Sequence, residues 1–135
     1  MTAQPTAKKI LVVDDNADLA EALGEAMEAA GYTVSVATDA VQALALAGEA
    51  APDVVILDIE LPVMNGYELA LRLHALPQLA RSQFIALTGY GQAHDQRQSL
   101  ESGFHHHFVK PVDIDRLLKL VGEGSGDSGA RDLGY

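Results

Sequence analysis

Apolar positions along the chain alternate between two periods. Ile10-Leu-Val-Val13 is a short unbroken apolar run ending in Asp14-Asp15, as expected of a strand buried on both faces. Leu19, Leu23, Met27 and Ala30 then recur at helical spacing, and Gly31 supplies a stop. Val34 and Val36 predict a second strand. Val41, Leu44 and Ala45 predict the face of a second helix ending near Gly48. Val54-Val-Ile-Leu57 is a third strand, ending at Asp58, and Leu69, Leu73 and Leu76 form a helical face before Pro77. Phe84-Ile-Ala-Leu87 is a fourth strand, ending at Thr88. Gln92 to Ser102 reads as a helix whose one large apolar anchor is Leu100. His106-His-Phe-Val109 is a fifth strand, ending at Lys110-Pro111. Ile114, Leu117, Leu118 and Val121 give the last helix its stripe.

Five strands alternating with five helices predict an α/β fold with a parallel sheet and right-handed crossovers. The expected strand order is the flavodoxin-like 2-1-3-4-5, in a single domain over residues 8–121. Residues 1–7 form a short polar N-terminal extension. From Gly122 the composition shifts to Gly-Glu-Gly-Ser-Gly-Asp-Ser-Gly, so residues 122–135 are expected to be a flexible tail.

Composition narrows the function. The 135 residues suit one hydrophobic core, and 48% of them are apolar, which argues against general disorder. With 9 basic residues against 19 acidic ones the net charge is −10. Such a chain is ill suited to gripping nucleic acid or an acidic membrane directly. It has no cysteine, which excludes disulfides, a thiol nucleophile and a thiolate metal site, and fits a cytoplasmic location. No apolar run approaches a membrane span, and no signal-peptide core precedes Ile10.

The polar residues of interest stand at the carboxyl ends of the predicted strands, where open parallel sheets bind ligands. Strand one delivers Asp14 and Asp15, strand three Asp58, strand four Thr88 and strand five Lys110. Three carboxylates at one edge repel each other unless a cation sits among them, and all-oxygen ligands favour Mg²⁺. Aspartate is a nucleophile for phosphoryl groups, and such transfer is largely positioning and charge neutralisation. Lys110 would supply a cation to phosphoryl oxygens and Thr88 a hydroxyl donor. Each residue alone has an ordinary explanation, as a helix N-terminal acid, a turn residue or a strand end. Five suitable residues at four strand ends are much harder to assign to chance.

Taken in order, Ile10-Leu-Val-Val-Asp-Asp15, Val54-Val-Ile-Leu-Asp58, Leu61-Pro-Val-Met-Asn-Gly66, Leu87-Thr-Gly89 and Val109-Lys-Pro111 resemble the receiver domain of bacterial response regulators in two-component systems. The resemblance spans Lys8 to about Val121. It implies that Asp58 is the phosphoacceptor, that Asp14, Asp15 and Asp58 hold Mg²⁺ with the Glu60 backbone carbonyl, and that Thr88 and Lys110 contact the phosphoryl group. It further implies a cis bond before Pro111 and a switch pairing Thr88 with the residue three positions before the lysine. Many receivers carry Tyr or Phe there, whereas this chain has His107, expected to fill the same slot. By the same likeness Glu60 and Tyr90 flank the path of attacking water and set the lifetime of the phosphorylated form. The implied partner is a histidine kinase or a histidine phosphotransfer protein, with room for a transient homodimer. The implied readout is a change in the surface formed by helix four, strand five and helix five. Leu87-Thr-Gly-Tyr-Gly91 and the stretch from Gly103 to Asp113 are similar to receivers of hybrid histidine kinases. Beyond its own phosphorylation and dephosphorylation, the domain is not expected to act as an enzyme.

Three rivals remain at this stage. A phosphatase of the haloacid dehalogenase type uses similar residues, but there the nucleophile comes first and the acid pair last. A flavin-binding module would need a Ser, Thr and Gly-rich phosphate loop where this chain has Asp14-Asp15-Asn16. The third is a non-phosphorylated interaction module, against which the complete set of site residues argues. In His105-His-His107, successive strand side chains point to opposite faces, so chelation of one ion is not expected.

Overall fold

The two periods resolve into five strands and five helices in the computed structural model, which describes residues 8–89 and 96–123. The elements are β1 (Lys9–Val13), α1 (Ala17–Ala29), β2 (Thr33–Ala37), α2 (Ala40–Ala50), β3 (Val54–Asp58), α3 (Gly66–His74), a 3-10 turn (Pro77–Leu79), β4 (Gln83–Thr88), α4 (Gln96–Glu101), β5 (His106–Val109) and α5 (Ile114–Glu123). The strands form one parallel sheet in the order β2-β1-β3-β4-β5, so the flavodoxin-like architecture is as expected. The register pairs Val13 with Leu57, and Asp58 with Leu87, bringing the carboxyl ends of the central strands to one edge.

Alternation along the strands divides the core in two. Ile10, Val12, Ile56 and Leu87 pack with Leu23 and Met27 of α1 and Leu117 and Val121 of α5. Leu11, Val13, Leu57 and Phe84 pack on the opposite face with Leu69 and Leu73 of α3 and with Phe104. Helix entry is set by short polar side chains, each accepting a backbone N–H of the first turn. Asn16 caps α1 through Leu19 N, Asp39 caps α2 through Gln42 N, and Asn65 caps α3 through Glu68 N. The Gln42 side chain reaches back past the cap and accepts the Thr38 N–H at 2.8 Å, which ties the entering chain to the first turn.

Two helix faces differ from the sequence expectation. In α2 the buried residues are Ala40, Ala43 and Ala47, while Val41 is 78% exposed and Ala45 also faces out. Alanines at i, i+3 and i+7 form the inner stripe because the helix lies close against β1 and β2, where large side chains have no room. In α4 the supposed anchor Leu100 is 41% exposed, whereas among the described side chains Ser99 of the helix and Ser102 just beyond it are buried. Residues 92–95 of the expected fourth helix lie outside the described residues. So do the extension 1–7 and the tail from 124 onward, whereas α5 continues through Gly122 and Glu123. Ala30 caps α1 and is exposed, and Gly31 follows it with φ +103°.

Candidate functional site

Asp14 follows the last residue of β1 and Asp58 ends β3, so the sheet itself delivers both carboxylates to the same edge. They are 0% and 2% exposed. Asp15, the next residue along, is exposed, and carboxylate oxygens of all three acids lie within 4.8 Å of one another. It is the one group of three or more acidic or histidine side chains among the described residues that could converge on a metal ion. Backbone amides orient the two buried acids. Asn16 N–H donates to Asp14 Oδ1 at 2.9 Å and Glu60 N–H to Asp58 Oδ1 at 2.8 Å. No sequence signal marks these amides, because every residue but proline has one.

Lys110 reaches across from the end of β5. Its Nζ lies 3.1 Å from Asp58 Oδ2 as a hydrogen-bonded ion pair and 2.8 Å from Asp14 Oδ2. The second contact is an ion pair, and Asp14 Oδ2 is otherwise buried without a partner among the described residues. Burial pushes the Asp58 carboxyl above the usual carboxylate range. The Glu60 amide opposes that shift, the charge of Asp14 adds to it and Lys110 works against it. Burial also works to lower the Lys110 ammonium, but Asp14 and Asp58 outweigh it and hold the group above the ordinary lysine range. One lysine thus stands against three carboxylates. The surplus negative charge, the all-oxygen donor set and the convergence of the three carboxylates together fit a hard divalent cation.

Thr88 ends β4 and is buried. Its Oγ1 lies 2.9 Å from His107 Nε2, a hydrogen bond whose direction depends on the imidazole tautomer. His107 is thus turned toward the strand-end site. The neighbouring His105 accepts the Phe84 N–H on Nδ1 at 3.1 Å, so the two rings serve different partners. The Lys110–Pro111 peptide bond is cis. Gly66, which starts α3, is required where it stands. A Cβ there would run into Ile59 Cα and come within 2.6 Å of the Asp58 carbonyl oxygen. Pro62 is exposed in the loop after Asp58, and the Glu60 side chain is exposed beside it. Tyr90 lies outside the described residues.

Residues 10–122 match the family model for the response regulator receiver domain. Sporulation initiation phosphotransferase F of Bacillus subtilis is 36% identical over 114 residues, covering 84% of this chain and 90% of its own. The DNA-binding dual master transcriptional regulator RpaA of Synechocystis is 33% identical over 113 residues. These cover 84% of this chain but only 47% of RpaA, so the chain spans about half of that relative. Among solved structures, a response regulator receiver domain protein (CheY-like) from Methanospirillum hungatei superposes with a TM-score of 0.80 at 31% identity. The match covers 87% of this chain and 93% of that one.

Proposed function

This chain belongs to the response regulator receiver domain family, and we propose that it accepts a phosphoryl group on Asp58 with Mg²⁺ held beside it. The observation that carries the reading is the strand-end arrangement itself. A buried carboxylate at the end of β3 is paired with Lys110 and lies within 4.8 Å of two further acids. Asp15 and Asp58 would bind Mg²⁺ directly, with the Glu60 backbone carbonyl, and Asp14 would sit close by or act through water. When bound, the ion supplies positive charge to the phosphoryl oxygens and screens the acids from one another.

An Asp58 carboxylate oxygen attacks phosphorus. The P–N bond of a phosphohistidine donor breaks, and its electron pair returns to the donor imidazole. Lys110, already at Asp58 Oδ2, passes to a phosphoryl oxygen as negative charge builds there. The Thr88 hydroxyl donates to another. If its proton points at His107 Nε2 beforehand, that bond must break, which ties the imidazole to the state of the site. Binding and phosphorylation then shift a population between two arrangements of the α4, β5 and α5 surface, to the extent that the phosphoryl group contacts them differently. The donor is a histidine kinase or histidine phosphotransfer protein, and the chain works as a phosphorelay module of the cytoplasm.

Intact-mass measurement after exposure to acetyl phosphate should show one added phosphoryl group that requires Mg²⁺ and is absent in Asp58→Asn. Unchanged labelling in that variant would sink the assignment.

A further inference from the structure

On the side of α1 that faces β2, the surface has a groove of about 180 Å³ that includes none of the strand-end acids. Val34 and Val36 of β2 line its floor, both half-buried, and Glu21, Glu25 and Glu28 of α1 line its rim. Gly24 lets the helix sit low over the strand. A Cβ there would come within 3.1 Å of Val36 Cγ2 and 3.5 Å of Val34 Cγ1.

Three features point to an occupant of one kind. First, Asp18, Glu21, Glu25 and Glu28 follow one another at spacings of three and four, so they form a single exposed acidic stripe. Helix α1 contains no Lys or Arg, and among the described residues no ion pair involves these acids. Like charges at this spacing destabilise an isolated helix, and Glu28 also meets the unfavourable end of the helix dipole. Second, the groove floor is apolar. Third, β2 is an edge strand, and among the described residues nothing pairs with its outer side. Its sequence Thr33-Val-Ser-Val-Ala37 has none of the charges or prolines that usually guard an edge against strand addition.

We propose that this groove docks an extended basic segment of a partner protein, added to β2 as a sixth strand. Alternate side chains of such a segment fall on one face of the enlarged sheet. On the face that α1 covers, lysines or arginines would lay their apolar stems over Val34 and Val36 and carry their charges to Glu21, Glu25 and Glu28, while the intervening apolar side chains fall on the opposite face. The surface is distinct from the phosphoacceptor site, and the proposal stands or falls without it.

The test uses the full chain, isotopically labelled, titrated with three capped synthetic peptides. One alternates Lys and Val, one alternates Glu and Val, and one is the Lys-Val peptide with prolines that remove the backbone donors. The Lys-Val peptide should move amide resonances within residues 21–37, and weaken as salt rises. The Glu-Val and proline peptides should bind at least about tenfold more weakly, as should the Lys-Val peptide to a Glu21→Gln/Glu25→Gln/Glu28→Gln variant. Retention of the wild-type circular dichroism spectrum would show that this variant is folded. Equal binding of the proline peptide, shifts centred on the Asp58 end of the sheet, or no binding would each overturn the proposal.

Discussion

Replacing Asp58 by Asn tests the electrostatics of the strand-end site without touching its shape. The amide oxygen can still accept from Glu60 N–H, so the loop keeps its 2.8 Å anchor. What changes is one buried charge. At an effective dielectric near 20, Lys110 at 3.1 Å attracts the carboxylate by roughly 5 kcal/mol. Asp14, within 4.8 Å, repels it by roughly 3.5 kcal/mol, and exposed Asp15 adds a screened remainder. The pairwise charges therefore come close to cancelling, and desolvation of an ion that is 2% exposed decides the sign, at several kcal/mol. The raised Asp58 carboxyl agrees with that outcome, with burial as its first cause. Lys110 keeps Asp14 as a partner in the variant. We expect metal-free Asp58→Asn to be more stable than the native chain at neutral pH by about 1–2 kcal/mol, a rise in Tm of about 4–8 °C.

The pH dependence follows from the direction of the shift. A carboxyl raised in the folded state favours the fold when protonated, and that contribution is lost as pH rises through the folded value. The advantage of Asp58→Asn should therefore be full at neutral pH and shrink on acidification. It should vanish below the unfolded carboxyl range near ~3.9. Mg²⁺ should narrow the gap, since at ten times its dissociation constant a ligand of the native chain adds about 1.4 kcal/mol by linkage. Far-UV circular dichroism in urea suits the measurement, because the chain has no tryptophan. An Asp58→Asn variant no more stable than the native chain in chelator at pH 7, or an advantage that grows with acid, would refute the reasoning.

Further substitutions probe other parts of the frame. Ala51 caps α2 with φ +49°, so Ala51→Gly should stabilise by about 0.5–1 kcal/mol in urea unfolding, as left-handed strain is relieved against a more flexible unfolded chain. Gly66→Ala should cost about 1–3 kcal/mol or more and reduce the stabilisation by Mg²⁺, because the new methyl meets the backbone of Asp58 and Ile59. Phe104→Ala should cost about 3–5 kcal/mol and Leu100→Ala under about 1 kcal/mol, the order reversing if Leu100 were the true anchor. Glu60→Ala should change the decay rate of the phosphorylated chain, followed by intact mass, while leaving the Mg²⁺-induced rise in Tm near its native value.

Much of this molecule is written in local periodicity. Unbroken apolar runs at 10–13, 54–57 and 84–87 had to be strands buried on both sides, and a parallel sheet necessarily carries their last residues to one edge. Asp14, Asp58, Thr88 and Lys110 could therefore be grouped before any coordinates. The same reasoning failed where large side chains were assumed to mark the inner face. Val41 points outward because α2 packs through its alanines close against β1 and β2, and Leu100 of α4 is exposed while Ser99 is buried. Spacing along one element carries no information about how closely it packs. Nor could sequence place Lys110 between Asp14 and Asp58 or select the amides of Asn16 and Glu60 as their anchors. Those contacts depend on rotamers and on the separation of strands distant in the chain, which only the packed structure settles.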